Sequence, residues 1–179
     1  MKGYRLPLAA VALAVGAGLV YRDVFFGRVL AGRDVFRLFI PHAHFLAECL
    51  RRGELPLWVP HERLGQPFAA IPYSMAFYVP QVLVVLAFGA IASVTALQLV
   101  HVVVAASGTY LACRRLGASF TASAFAGGAF ALSHQFTLLG WAPNVAGAVA
   151  WSGFQLAFVR LLARRPGPGP AALLGLSVA

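Results

Sequence analysis

The chain has 179 residues, of which 60% are hydrophobic and 11% are charged, with a formal net charge of +9. Charged residues make up about 25% of soluble globular domains, so this composition excludes that class and predicts an integral membrane protein. The basic residues are not clustered with aromatic residues in the pattern of a nucleic-acid groove, so we expect no nucleic-acid partner.

Most basic residues flank apolar runs, with no acidic residue among them. This is the positive-inside bias of cytoplasmic helix ends, and it predicts a cytoplasmic N-terminus and an extracytoplasmic first loop. The basic residues that carry this signal include Lys2, Arg114, Arg115, Arg160, Arg164 and Arg165.

The first apolar run predicts a membrane span over residues 6–26. Its apolar part, Leu6 to Tyr21, is shorter than the roughly 20 residues that a span needs, and Arg22 can snorkel to lengthen it. A cleaved signal peptide is the alternative, because its basic and apolar regions look similar. Either reading places the following segment outside the cytoplasm.

Residues 27–79 predict an extracytoplasmic loop. All five carboxylates of the chain lie in it or just before it, so acid–base chemistry by this sequence must draw on this region. The five are Asp23, Asp34, Glu48, Glu54 and Glu62.

Within the loop, Pro41 at a first helical position and Gly53 as a terminator predict a helix over residues 41–52. Arg37, His44, Glu48, Arg51 and Arg52 share one face of it, and Ile40, Ala43, Ala47 and Leu50 share the other. Such an amphipathic helix suits the bilayer surface. The alternative is a solvated charged face on which Glu48 pairs with Arg52.

The rest of the loop contains too many prolines for a regular helix or a central strand, and we expect an ordered, extended segment. Its aromatic residues are predicted to be anchors at the membrane interface. They are Trp58, Phe68, Tyr73, Phe77 and Tyr78.

Residues 80–113 are apolar but too long for one span, so we predict a break at Gly89. A short membrane-dipping helix over 80–88 then precedes a span over 93–113. Gln98 and His101 lie three residues apart on that span. They are either functional or partners in hydrogen bonds between helices.

Two further spans are predicted over residues 119–139 and 145–162. Ser123, Gly127 and Ala131 form a small-residue stripe on the first, which favours close helix packing. A PGPGP linker leads to a last apolar run over 171–179, too short to cross a bilayer. We expect the chain to be an N-terminal fragment that is inactive alone.

Three segments together form a specific pattern: GRDVFRLFIPHAHFLAECLRRGELPLWVPHERLGQPFAAIPYSMAFYVP, LVHVVVAASGTYLACRRLGAS and FALSHQF. In this pattern the chain resembles the YfhO-like bacterial membrane proteins, which are similar to the GT-C glycosyltransferases. The resemblance covers Gly32 to about Trp151. It implies an all-α, polytopic inner-membrane enzyme that transfers a sugar from a polyprenyl-phosphate donor to an extracytoplasmic acceptor such as a glycan, lipid or protein.

The chain departs from that family pattern at three places. Val59 and Ile71 stand where the family often has Asn, and Ser152-Gly153 stands where Leu-Pro is usual. The first two changes remove side-chain hydrogen bonds near the expected site, so detailed donor and acceptor contacts do not carry over.

Sugar transfer from a lipid phosphate needs a carboxylate base and cations for the leaving phosphate. Asp34, which matches the family's loop aspartate, is the predicted base. The predicted substrate-binding residues are Arg33, Arg37, Arg63, Glu54 and His61. The alternatives for Asp34 are an ion pair with Arg33 or Arg37, or a helix cap.

No cofactor is predicted. His42 and His44 are two residues apart and point to different faces of the predicted helix, so with His61 they do not indicate a metal site. Cys49 and Cys113 should not pair, because the predicted topology places them on opposite sides of the membrane. A non-catalytic lipid or glycan carrier, or an envelope-assembly partner, is the alternative function.

Overall fold

The computed structural model describes residues 5–28, 30 and 32–178, so Lys2 and Ala179 lie outside it. Over these residues the secondary structure is helical and contains no β-strand. The α-helices are α1 (Arg5–Val20), α2 (Arg22–Phe25), α3 (Ile40–Arg51), α4 (Val79–Arg115), α5 (Phe120–Ala131), α6 (His134–Leu138), α7 (Pro143–Arg164) and α8 (Pro168–Val178). A π-helical turn, Val35–Phe39, precedes α3, and short 3-10 turns occur at Phe68–Ala70 and Leu139–Trp141.

Two of the described helices are long and apolar enough to cross a membrane. They are α4, with 37 residues and a mean hydropathy of 2.3, and α7, with 22 residues and a mean hydropathy of 1.5. Only 39% and 28% of their most apolar stretches are buried, whereas the core helix of a soluble protein is mostly buried. By length and composition, these two helices favour association with a membrane.

Two predicted spans are not continuous helices. The span over 6–26 is interrupted at Tyr21, because α1 ends at Val20 after 16 residues. The span over 119–139 is interrupted at Leu132, because α5 ends at Ala131 after 12 residues. The Ser133 hydroxyl accepts a hydrogen bond from the Phe136 N–H at 3.2 Å and so begins α6 as a new helix.

Gly89 breaks α4, as predicted from the length of the apolar run. Its φ of 75° and ψ of 172° lie in a region that essentially only glycine adopts. The helix therefore consists of two segments, 79–88 and 90–115. The second segment ends at Gly117, whose φ is 97°, where the Ala118 N–H reaches the Cys113 carbonyl at 3.0 Å. This is the Schellman ending.

The chain folds as two compact units. We name Met1–Phe26, His101–Leu138 and Gly147–Ala179 the helical unit, and Gly27–Val100 with Leu139–Ala146 the loop unit. In the helical unit, helices meet through glycines. A Cβ on Gly127 would lie 2.5 Å from the Ala106 carbonyl oxygen, and Ser123, Gly127 and Ala131 are all buried. The predicted small-residue stripe is therefore a packing surface.

The loop unit has a core of larger side chains, contributed by α3, the extended loop and the first segment of α4. Leu46 and Phe68 are fully buried, and Val85 joins them from α4. The buried core residues are Ala43, Leu46, Ala47, Val59, Phe68, Ile71, Ala76 and Val85. A loop that is poor in regular structure is thus ordered by burial of its apolar residues.

Candidate functional site

The α3 helix forms one wall of the candidate site. Pro41 lies in its first turn, where the missing N–H costs nothing. It ends at Gly53, with φ of 70°, and the Glu54 N–H reaches the Cys49 carbonyl at 2.9 Å. The predicted division of faces is present, because Ala43 and Ala47 are buried while the opposite face carries exposed polar residues. The apolar face packs into the core of the loop unit, whereas the prediction placed it on the bilayer surface.

A short hairpin over residues 59–66 forms the facing wall. The Val59 and Gln66 backbones exchange two N–H···O bonds of 3.0 Å. Arg63, Leu64 and Gly65 all have positive φ, at 48°, 66° and 98°, which turns the chain sharply. The Trp58 indole covers Gly65, and a Cβ there would lie 2.8 Å from it. The hairpin therefore presents residue 62 toward α3.

Glu62 joins the two walls. Its Oε2 accepts a hydrogen bond of 2.6 Å from the Gln66 side-chain amide, and its Oε1 lies 2.9 Å from His42 Nε2 on α3. The ring N–H of His42 is not aligned with this oxygen, so this close contact is not a hydrogen bond. Gln66 thus holds one carboxylate oxygen and His42 lies against the other. The Glu62 side chain is still 30% exposed.

His42 is almost entirely enclosed, with 2% of its surface exposed. Phe68 meets its ring edge-on at a centroid distance of 5.4 Å, and Tyr73 lies at 5.2 Å. Its Nδ1 has no hydrogen-bond partner among the described residues. An unsatisfied buried nitrogen is costly and uncommon in folded proteins.

A pocket of about 310 Å³ opens between the walls. Its lining contains two carboxylates and three imidazoles but no lysine or arginine. The lining residues are Pro41, His42, His44, Phe45, Glu48, Val59, His61 and Glu62. In the part of the chain that the structure describes, no three His, Cys, Asp or Glu side chains are arranged to hold a metal ion.

Asp34, the predicted base, lies away from this lining, immediately before the π-helical turn. Its Oδ1 accepts a hydrogen bond of 3.0 Å from Arg33 Nε, and its side chain is 28% exposed. It makes no side-chain capping bond. Of the alternatives considered for Asp34, the ion pair with Arg33 is therefore present and the cap is absent.

The other predicted site residues are dispersed over the loop unit. Of the six predicted site residues, Asp34 included, only His61 lines the pocket. Arg37, Arg63 and Glu54 are exposed, and the described residues offer Arg37 and Arg63 no carboxylate within ion-pair distance. These two guanidinium groups are therefore available to an anionic ligand.

Sequence reasoning missed Glu62, His42 and Gln66 as a group. Glu62 and Gln66 are four residues apart, a spacing that usually signals a helix, whereas here a hairpin brings them together. Phe68 was expected to be a membrane anchor but is fully buried, because it packs against His42 and against Phe45 at 4.8 Å. The Glu48 carboxylate lies 3.8 Å from the Arg52 guanidinium, so the ion pair named as the alternative for Glu48 is present.

Cys49, on the buried face of α3, is a free thiol, as is Cys113. Burial raises the pKa of the Cys49 thiol above its ordinary value, and the nearby Glu54 carboxylate raises it further, while Arg52 opposes them. The thiol is therefore kept in its unreactive protonated form.

Comparisons with protein-family models, with curated proteins and with solved structures gave no match. The resemblance to the YfhO-like proteins stays a prediction.

Proposed function

We propose that this protein is a polytopic membrane enzyme of GT-C-like topology that transfers a sugar from a polyprenyl-phosphate donor to an extracytoplasmic acceptor. One observation carries the proposal. Glu62, held by His42 and Gln66, faces a pocket in the same unit as the unpaired cations Arg37 and Arg63. An oriented carboxylate and free guanidinium groups are the two kinds of group that such a transfer needs.

The location and orientation belong to the same proposal. The loop unit would face the outside of a bacterial inner membrane, with the N-terminus in the cytoplasm, as the positions of Arg114, Arg115 and Arg164 favour. The first segment of α4 contributes Val85 to the core of the loop unit. The polar site would therefore lie close to the membrane, where a lipid-linked donor and an aqueous acceptor meet.

In the transfer, the acceptor hydroxyl loses its proton to a carboxylate, and its oxygen forms a bond to the anomeric carbon of the donor sugar. The bond from that carbon to the phosphate oxygen breaks, and the phosphate leaves with the electron pair. Arg37 and Arg63 would stabilise the charge on the leaving phosphate, since a guanidinium matches phosphate oxygens.

Two carboxylates are candidates for the base. The resemblance favours Asp34, and the geometry favours Glu62. Asp34 pairs with its sequence neighbour Arg33 and does not line the pocket. Glu62 does line it and is positioned by Gln66 of the hairpin and His42 of α3. A base fixed in this way is preorganised for proton transfer.

The test compares sugar transfer from a polyprenyl-phosphate sugar in membranes that contain equal amounts of wild type, Glu62→Gln or Asp34→Asn. Loss of the base should lower transfer by about a hundredfold or more. Asp23→Asn, an exposed carboxylate in the helical unit, is the matched control and should keep wild-type activity. Transfer that survives both substitutions would contradict this mechanism, and no transfer by wild type would favour a non-catalytic carrier or assembly partner.

A further inference from the structure

Carboxylates line the pocket between α3 and the 59–66 hairpin, whereas the free cations Arg37 and Arg63 lie outside its lining. We infer that it binds the neutral, hydroxyl-bearing acceptor, as one sugar ring, and excludes the phosphate of the donor. The role as acceptor site rests on the proposed function, whereas the binding of a neutral sugar can be measured without turnover.

The volume sets the size of the ligand. Pockets for small molecules span about 300–1,000 Å³, and this one, at about 310 Å³, lies at the lower limit. It accommodates a single ring rather than an oligosaccharide or a lipid chain.

The charge of the lining excludes phosphate. Glu48 and Glu62 contribute the only formally charged side chains, and neither lysine nor arginine lines the pocket. A phosphate placed there would meet the Glu62 carboxylate in a partly enclosed space, where the local dielectric screens like charges less than bulk water does. Glu48 adds a second negative charge, which Arg52 at 3.8 Å offsets in part. Sugar hydroxyl groups, in contrast, donate hydrogen bonds to carboxylates.

The way Glu62 is held favours recognition of hydroxyl groups. His42 and Gln66 each engage one oxygen, and each carboxylate oxygen keeps a further lone pair for a ligand. His42 is buried and neither of its ring nitrogens has a hydrogen-bond partner among the described residues, a rare cost that calls for an explanation. Its role would be that of a positioning residue behind Glu62.

The apolar part of the lining suits the C–H face of a sugar ring. Pro41, Phe45 and Val59 line the pocket together with the polar groups. A mainly apolar wall with a few fixed polar groups is the usual design of a small-molecule site.

The test measures binding of methyl glycosides of glucose, galactose, mannose and N-acetylglucosamine to the whole protein in detergent, by saturation-transfer NMR. At least one glycoside should bind, and Glu62→Gln should weaken it about tenfold or more, as expected for loss of a charged hydrogen-bond acceptor. His44→Trp, which adds bulk at an exposed lining position, should also abolish binding. Asp23→Asn should bind like wild type.

Competition with inorganic pyrophosphate and with Zn²⁺ distinguishes the proposed sugar site from an anion site and from a metal site. Neither should displace the glycoside at equal concentration. Displacement by pyrophosphate would show an anion site, and displacement by micromolar Zn²⁺ that is lost in His61→Ala would show a metal site. Either of these results would overturn the inference. Wild-type glycoside affinity in Glu62→Gln would also overturn it, as would failure of all four glycosides to bind. Glycoside binding without any sugar transfer would contradict the proposed function alone.

Discussion

The helical unit and the loop unit are held together by different kinds of contact. In the helical unit, close approach of backbones dominates. A Cβ on Gly153 would clash with the backbone of Gly108 and Thr109. In the loop unit, the core consists of large side chains, with Phe68 fully buried against His42 and Phe45.

A helical unit in lipid and a loop unit beside water, as proposed above, would differ in this way. Apolar helices in lipid gain nothing from burying more apolar surface, so they associate where small residues allow close packing. An irregular, proline-rich segment beside water is stabilised by the hydrophobic effect. Substitutions that delete side chains should therefore damage the loop unit, and substitutions that add atoms should damage the helical unit.

The largest effect is expected for Phe68→Ala. Deleting a fully buried phenylalanine costs about 3–5 kcal/mol, and here it also removes the ring that packs against His42. Phe77→Ala is the matched control, because Phe77 lies in the same loop and is 63% exposed. Thermal unfolding in detergent measures both. Equal losses of stability would show that Phe68 is not a core residue.

A smaller effect is expected for Gly127→Ala in α5. The new Cβ would lie 2.5 Å from the Ala106 carbonyl oxygen, and such overpacking costs about 1–3 kcal/mol. The neighbouring Gly128 has no atom within 4 Å of an added Cβ, so Gly128→Ala should be neutral or stabilising, by up to about 1 kcal/mol of helix propensity. Equal unfolding temperatures for the two variants would argue against close packing of α4 and α5.

The smallest effect concerns Cys49 and pH. Because its pKa is raised in the folded state, the stability that it contributes is complete below the ordinary thiol pKa, about 8.5, and is lost as the pH rises through the raised value. In a Cys113→Ser background, unfolding temperatures from about pH 7 to about pH 10 should fall more steeply with Cys49 than with Cys49→Ala. Identical pH profiles would contradict a raised pKa.

The sequence was sufficient where a local rule decides the structure. Pro41 and Gly53 mark the ends of α3, the excess length of the apolar run predicts the break at Gly89, and α7 includes the predicted 145–162. The α5–α6 boundary was missed, since the polar residues Ser133, His134 and Gln135 were placed near the outer end of a single span over 119–139. The break depends on whether the Ser133 hydroxyl caps a new helix, which hydropathy does not register.

The candidate site was predictable only in part. The loop was correctly identified as the source of polar groups, and His61 does line the pocket. Glu62 and His42 are 20 positions apart in the sequence, and the hairpin brings the Glu62 carboxylate to 2.9 Å from His42 on α3. The hairpin backbone requires positive φ at Arg63 and Leu64, which these residue types adopt uncommonly. Composition and periodicity carry no information about such a turn.

The break at Gly89 also makes the side-chain directions of the two segments of α4 independent of each other. In a continuous helix, inserting one residue rotates every later side chain by about 100°. Here the backbone leaves the helical conformation at Gly89, with φ of 75° and ψ of 172°, so the 90–115 segment has its own phase. An insertion of one residue within 79–88 would therefore not rotate the faces of the 90–115 segment, including Ala105 and Ala106. Gly89 is thus a junction at which a change of length before it leaves the side-chain directions of the 90–115 segment unchanged.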